Sequence, residues 1–301
     1  MKKSRTGKAI LFIAFLVAIF IIIAVITSIL VEKEEASAWT DLFEYGNNVG
    51  IVTIEGTITS SDEILKQLRK FRKKSSVKAI VLRINSPGGT VAPAQEIYRE
   101  IEKVRKKKPV VSSIETVAAS AAYYIASSSD KIVCSAGTIT GSIGVIMMLP
   151  EIDKIIEKIG ISVNIIKAGK FKDIGTGFRP LTGEERNILE NFANSIHEQF
   201  INDVAAGRKD KIEKDKLRTI ADGQFFTGEK AKEIGLVDTI GNFYDAVKIA
   251  AELGGIKTEP ELVYPKKKWG GLIDVFLESA VDALNRIADR TRLIQFAPSV
   301  H

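Results

Sequence analysis

The sequence predicts an α/β fold with a mostly parallel sheet, carried behind one N-terminal transmembrane helix. The sheet is predicted by short β-branched runs that alternate with helix-periodic segments from residue 49 to about 166. That alternation implies βαβ units with right-handed crossovers. The membrane helix is predicted by Ala9–Val31, an almost wholly apolar run without a charge. At 1.5 Å per residue it spans roughly 34 Å, slightly more than a bilayer core. A signal-peptide core of about 7–15 residues is shorter.

Ala36-Ser37-Ala38 has the look of a cleavage triplet. The charged Glu32-Lys33-Glu34-Glu35 separates it from the apolar run, which favours an uncleaved anchor. Lys2, Lys3, Arg5 and Lys8 precede the span and acids dominate just after it. The positive-inside bias then puts the N-terminus in the cytoplasm and everything after residue 31 on the outer face of the cytoplasmic membrane.

In order, Val49–Ile58 alternates as a strand, and Asp62–Lys74 carries a helical stripe of Ile64, Leu65, Leu68 and Phe71. Val77–Ile84 is a nearly continuous apolar strand that Asn85-Ser86-Pro87-Gly88-Gly89 breaks sharply. Ala92–Arg105 is a helix and Pro109–Ser113 a strand. Ala118–Ser128 reads as a helix with Ser120 in its first turn, and Lys131–Cys134 as a short strand. Thr138–Leu149 is a glycine-punctuated turn running into a strand. Glu151–Ile159 is a helix, Ser162–Ile166 a strand, and Lys167–Phe178 a loop. Thr182 with Glu185 makes a capping box for a helix to about Ala206, with a stripe of Ile188, Phe192, Ile196 and Phe200. Helices at Glu229–Ile234 and Phe243–Leu253 follow. After a linker, Leu272–Ala288 is an amphipathic helix that docks on protein or lies on the membrane. The expected organisation is a cytoplasmic N-terminus (1–8), anchor (9–31), linker (32–48), catalytic domain (49–255) and C-terminal extension (256–301).

Composition excludes several chemistries. The single cysteine, Cys134, lies in an apolar run and reads as a small buried hydrophobe. An intrachain disulfide and a cysteine metal site are ruled out. The net charge of +6 falls on solvated helical faces without interleaved aromatics, so no nucleic-acid partner is expected. The two histidines are scattered, His197 within the long helix and His301 at the last position. They offer poor material for a Ser-His-Asp triad or a zinc site.

Ser120 stands in the stretch Val117–Tyr124, VAASAAYY, where tiny neighbours allow close approach to its hydroxyl. It is a core filler or a nucleophile. A lysine can activate such a serine when burial keeps the amine neutral and a hydrogen bond aims it. Lys167, Lys170 and Lys172 cluster in the loop after Ser162–Ile166, and composition does not choose among them. Lys172 would serve only if Asp173 faced away from it, since a carboxylate favours the ammonium. Gly88-Gly89 at a strand end supplies unobstructed amides ahead of a helix N-terminus, as oxyanion stabilisation requires.

Together these residues resemble the signal peptide peptidase A family, membrane-anchored Ser/Lys proteases of the Clp-protease/crotonase superfamily. The matching stretches are RINSPGG at Arg83–Gly89, AASAAYYIA at Ala118–Ala126, TGSIGV at Thr140–Val145, GKFKDIG at Gly169–Gly175 and GEKAKEIGLVDTIG at Gly228–Gly241. The resemblance implies repeated ββα units, Ser120 as nucleophile, Lys172 as general base, Ser142 as the residue that orients the base, and Gly88 and Gly89 as the oxyanion turn. It implies no cofactor and no metal. It also implies a ring or dome of identical subunits whose neighbours complete each active site, acting on released signal peptides or other apolar peptides. One departure is Ala121-Ala122, where the family usually has two glycines. Alanine favours the helix, so the helix start should survive over a slightly narrower pocket floor. The competing expectations are an acyl-CoA enzyme on the same architecture, a stomatin-partner membrane protease, and a non-catalytic membrane scaffold.

Overall fold

The computed structural model describes residues 47–265 of the chain. The predicted anchor and the predicted helix Leu272–Ala288 lie outside the described residues. No helix among the described residues is long and apolar enough to cross a membrane.

The described residues form a mixed α/β fold on one eight-stranded sheet. Strand β1 (Asn48–Glu55) leads through helix α1 (Asp62–Lys73) to β2 (Val77–Ser86), then through α2 (Val91–Arg105) to β3 (Val110–Ala119). Helix α3 (Ala121–Ser127) connects β3 to β4 (Lys131–Cys134), and β5 (Ile139–Gly141) follows directly. Next come α4 (Asp153–Lys158), α5 (Gly183–Gly207), α6 (Lys214–Ile220), β6 (Phe225–Thr227), α7 (Gly228–Glu233), β7 (Thr239–Ile240), α8 (Phe243–Leu253) and β8 (Glu261–Val263). Neighbouring strands run β6-β5-β3-β2-β1-β8, with β4 also on β3 and β7 on β4. Every pairing is parallel except β5 with β6.

Side chains alternate across the sheet as the two-residue period requires. Val52, Ile54, Ile80, Leu82 and Ile84 face the core under α1, α2 and α3, whereas Val49, Ile51, Ala79 and Val81 face α8 through Ala246, Val247, Ala250 and Ala251. Cys134 is fully buried in the larger core. Burial pushes its thiol up to about 11, which keeps it inert.

Strand β3 organises the site. Val111–Ile114 pair with β4, whereas Val117–Ala119 pair with β5. On its other edge the register with β2 shifts between Ile84 and Ser86. Each long strand is thereby divided into a main-sheet segment and a short segment before its helix.

Four sequence expectations are corrected. The helix foreseen at Ala118–Ser128 starts at Ala121, because β3 runs through Ala119. The small residues there lie flat in a parallel sheet, with Val117, Ala118 and Ala119 paired to Ile139, Thr140 and Gly141. The strand foreseen through Leu149 stops at Gly141, where Ser142 turns the chain with φ of 50°. Ser162–Ile166 forms no strand, since no edge among the described residues pairs with it, and Ile166 is wholly exposed. The stripe of the long helix is buried only in its second half: Phe200, Ile201 and Val204 are core, whereas Ile188 and Phe192 are exposed. The capping box at Thr182 and Glu185 is present as expected.

Arg208, at the end of α5, is 2% exposed and donates to Asp238 at 2.7 Å and to the Gly235 carbonyl at 3.0 Å. Asp238 also accepts from the Ile132 amide at 2.8 Å, tying α5 to β4. Removing one member of a buried pair strands the other charge. Arg208→Ala is therefore expected to lower unfolding free energy by about 3 kcal/mol or more, read as a drop in urea midpoint. An unchanged midpoint would contradict this.

Candidate active site

Ser120 lies at the junction of β3 and α3 with φ 52° and ψ −124°. That is the first central position of a type II′ turn, which glycine normally fills. Holding serine there costs of order 1–3 kcal/mol. The backbone is fixed from both sides: the Ser120 amide donates to the Gly141 carbonyl at 2.9 Å, and the Ser120 carbonyl accepts from the Tyr124 amide at 2.9 Å. Ser120 holds the N-cap position, yet its hydroxyl makes no capping hydrogen bond. The hydroxyl faces instead a cleft of about 730 Å³.

The turn after β2 forms one wall. Gly88 has φ of +111°, and a Cβ on it would come 2.9 Å from the Ser120 Cβ and 2.8 Å from the Ala119 carbonyl. A Cβ on Gly89 would meet the Ile58 carbonyl at 2.1 Å. Only glycine lets this turn press against both the serine and Ile58, which follows β1. The Gly88 amide donates to Ser86 Oγ at 3.2 Å, whereas no hydrogen bond of the described residues uses the Gly89 amide. The Ala121 amide, first in α3, has no acceptor one turn back, as at every helix start, and lies beside Gly88. Two N–H groups without an internal acceptor, those of Gly89 and Ala121, thus belong to residues that line the cleft with the serine. In the sequence only its place immediately after Ser120 at the strand–helix break marks Ala121 for this role.

Ser142 lines the same cleft, its backbone held by its amide's bond to the Gln224 carbonyl at 2.8 Å. Ser120, Ser142, Gly88 and Gly89 are therefore brought together. His197 also lines this cleft, although sequence spacing gave it no place there. The long helix α5 brings it back. Tyr124 and Phe200 stack edge-on at 5.1 Å and fasten α5 to α3.

Lys172 is not among the walls of this cleft; it is exposed in the turn region 168–175. Its two neighbouring lysines are engaged, Lys167 with Asp173 and Lys170 with Glu184. Among the described residues Lys172 is the member of the three whose amine has no hydrogen bond or ion pair. Asp173 is buried and turned toward Arg179 and Lys167, so the condition set from the sequence is met.

Arg179 bridges Asp173 at 2.8 Å and Glu185 at 2.5 Å. Arg179 and Lys167 hold the Asp173 carboxyl well below the usual carboxylate range. Arg179 and then the Thr182 amide pull Glu185 down to about 2. Depressed carboxylates stabilise above their unfolded value and lose that contribution as pH falls through the folded one. Amide exchange across residues 167–185, corrected for intrinsic rate, is expected to stay slow at pH 5 and rise between pH 4.5 and pH 2. Equal protection at both ends of that range would contradict the network.

Comparison with known proteins places the chain. The profile of peptidase family S49 matches residues 102–257, and that of Clp protease matches residues 33–136. A Synechocystis sp. relative named as a protease is 41% identical over 207 residues, covering 68% of this chain and 74% of the relative. The chain belongs to peptidase family S49. Protease 4 of Haemophilus influenzae is 35% identical over 217 residues, 69% of this chain and 35% of that protein. The Enterococcus faecium protein named as signal peptide peptidase SppA is 34% identical, 61% of this chain and 53% of that protein. The S49 chain thus spans from about a third to three quarters of these relatives' lengths. The S49 match takes in Ser120, Ser142 and Lys172, and the Clp protease match takes in Gly88, Gly89 and Ser120.

Proposed function

We propose that this S49 chain is a membrane-anchored serine endopeptidase in which Ser120 attacks the peptide bond and Lys172 of a neighbouring copy is the base. The observation that carries the reading is Ser120 itself: a strained, uncapped serine in a cleft that Gly89 and Ala121, with their open backbone amides, also line. The names of Protease 4 and of signal peptide peptidase SppA support the same chemistry.

A neutral Lys172 amine takes the Ser120 proton as Oγ bonds to the scissile carbonyl carbon. Ser142 accepts from or donates to that amine and aims it. The Gly89 and Ala121 amides receive the negative charge that develops on the carbonyl oxygen, while Gly88 contributes the bend that presents them. The ammonium then protonates the departing amine, and a water activated by the same lysine hydrolyses the acyl ester.

A second copy is needed for two reasons. Lys172 lies outside its own chain's cleft walls. The segment that carries it also exposes apolar surface that a lone domain rarely leaves in water: Met148 is 83% and Ile166 100% exposed, alongside Ile155, Ile159, Ile161 and Phe192. A homo-oligomer, ring or dome, covers this surface and delivers the lysine together. With 9–31 as a single-pass anchor, N-terminus inside, the catalytic domain lies on the outer side of the cytoplasmic membrane. Released signal peptides or other apolar peptides would be its substrates there, with small apolar residues before the cut.

A fluorophosphonate probe tests this on the full-length chain in detergent. It should label Ser120, and labelling should block hydrolysis of an apolar peptide. Labelling elsewhere, or acyl-CoA binding in place of hydrolysis, would overturn the proposal.

A further inference from the structure

One polar atom in the cleft has no part in that mechanism. His197 Nε2 is shut off from solvent, yet no described residue gives it a hydrogen-bond partner. Buried polar atoms in folded proteins are satisfied in all but a few cases, and an orphan calls for an explanation. The ring lines the same cleft as Ser120 and Gly89.

Its place is rigidly coupled to the nucleophile. Phe200, three residues on, is buried and stacks on Tyr124, whose own amide bonds to the Ser120 carbonyl. Tyr124 Oη also donates to Asp203 of α5, Arg99 donates to Asp203 at 3.0 Å, and Gln95 donates to Gln199 at 3.1 Å. These ties clamp the wall of α5 to α2 and α3. Asn194, one turn earlier, lines the cleft beside the histidine. An extended peptide with its scissile carbonyl at Ser120 must run along this wall, and it carries an unpaired main-chain polar group at every residue.

We infer that His197 is a substrate-positioning residue: with peptide bound, its imidazole turns about the Cβ–Cγ bond so that Nε2, now buried without a partner, pairs with a main-chain group of the peptide away from the bond that is cut. The inference rests on the reading of the cleft as a peptide site. The contact sets affinity and register, while Ser120 and Lys172 set the rate of the chemical step. An imidazole nitrogen can accept from a peptide N–H or donate to a peptide carbonyl, according to tautomer.

The test uses the full-length chain and a fluorescein-labelled apolar decapeptide. Binding is read by anisotropy in the non-cleaving Ser120→Ala background. His197→Phe, which keeps a ring but no hydrogen bond, should raise Kd about tenfold, the value of one modest hydrogen bond. His197→Gln should restore binding to within about threefold. On the Ser120 chain, His197→Phe should raise KM about tenfold with kcat nearly unchanged. An unchanged Kd in His197→Phe overturns the inference. So does a large fall in kcat, which would place His197 in proton transfer, and so does failure of Ser120→Ala to bind the peptide. If the peptide binds through His197 but the Ser120 chain never cleaves it, the inference stands and the peptidase reading falls.

Discussion

Ser120→Ala is expected to abolish peptide hydrolysis, by roughly 10⁴-fold or more, while leaving the fold intact. Losses of that size follow when a nucleophile is removed and only binding and amide stabilisation remain. The hydroxyl makes no capping bond, so its removal should shift stability by less than about 0.5 kcal/mol. Ser120→Gly separates activity from strain. Glycine relieves the roughly 1–3 kcal/mol held at φ 52° and adds back about 0.5–1 kcal/mol of backbone entropy. An equally inactive glycine variant should therefore be more stable than the parent by about 1 kcal/mol in urea unfolding. A glycine variant less stable than the alanine one would show that the junction stores no strain.

Lys172→Ala is expected to cost activity on the same scale without changing stability or assembly. Its side chain is exposed and unpaired, so truncation leaves no orphaned partner. The neighbouring lysines provide the contrast. Lys170→Ala breaks an exposed pair with Glu184 and should be nearly silent in both measurements. Lys167→Ala removes one of the two cations that hold buried Asp173, so it should loosen the 167–185 segment first. Full turnover by Lys172→Ala in peptide hydrolysis assays would assign the base elsewhere.

Much of the catalytic half was legible in the sequence. Periodicity located β2, α1, α2 and α8 to within two residues and overran β1 by three at its end, because their apolar positions meet the two faces of one sheet. Small residues misled at Ala118 and Ala119: helix propensity favours alanine, but pairing to β5 wins. Ser162–Ile166 misled in the opposite sense. Its β-branched alternation is real, yet a strand exists only against a partner edge, and the described residues offer none there. The exposed half of the α5 stripe has the same cause.

The site divided in the same way. Ser120, Gly88 and Gly89 follow strand ends, where local chain order fixes position, so sequence reading reached them. Composition left Lys167, Lys170 and Lys172 equal and only the family resemblance singled out Lys172; the ion pairs of Lys167 and Lys170, which no spacing reveals, leave it the unpaired amine of the three. His197 enters the cleft through the fold of α5 across α3, a contact 77 residues from Ser120 in the chain. Period and motif carry no information at that separation.

Subunit complementation tests the shared site most directly. Inactive Ser120→Ala and inactive Lys172→Ala chains are co-expressed, purified as mixed oligomers and assayed on one apolar peptide. A site drawing Ser120 from one chain and Lys172 from its neighbour is whole, so activity should return to about a quarter of the parent rate at equal mixing. Mixed oligomers that form yet remain inactive would mean that each chain supplies its own base, and the account given for Lys172 would be wrong.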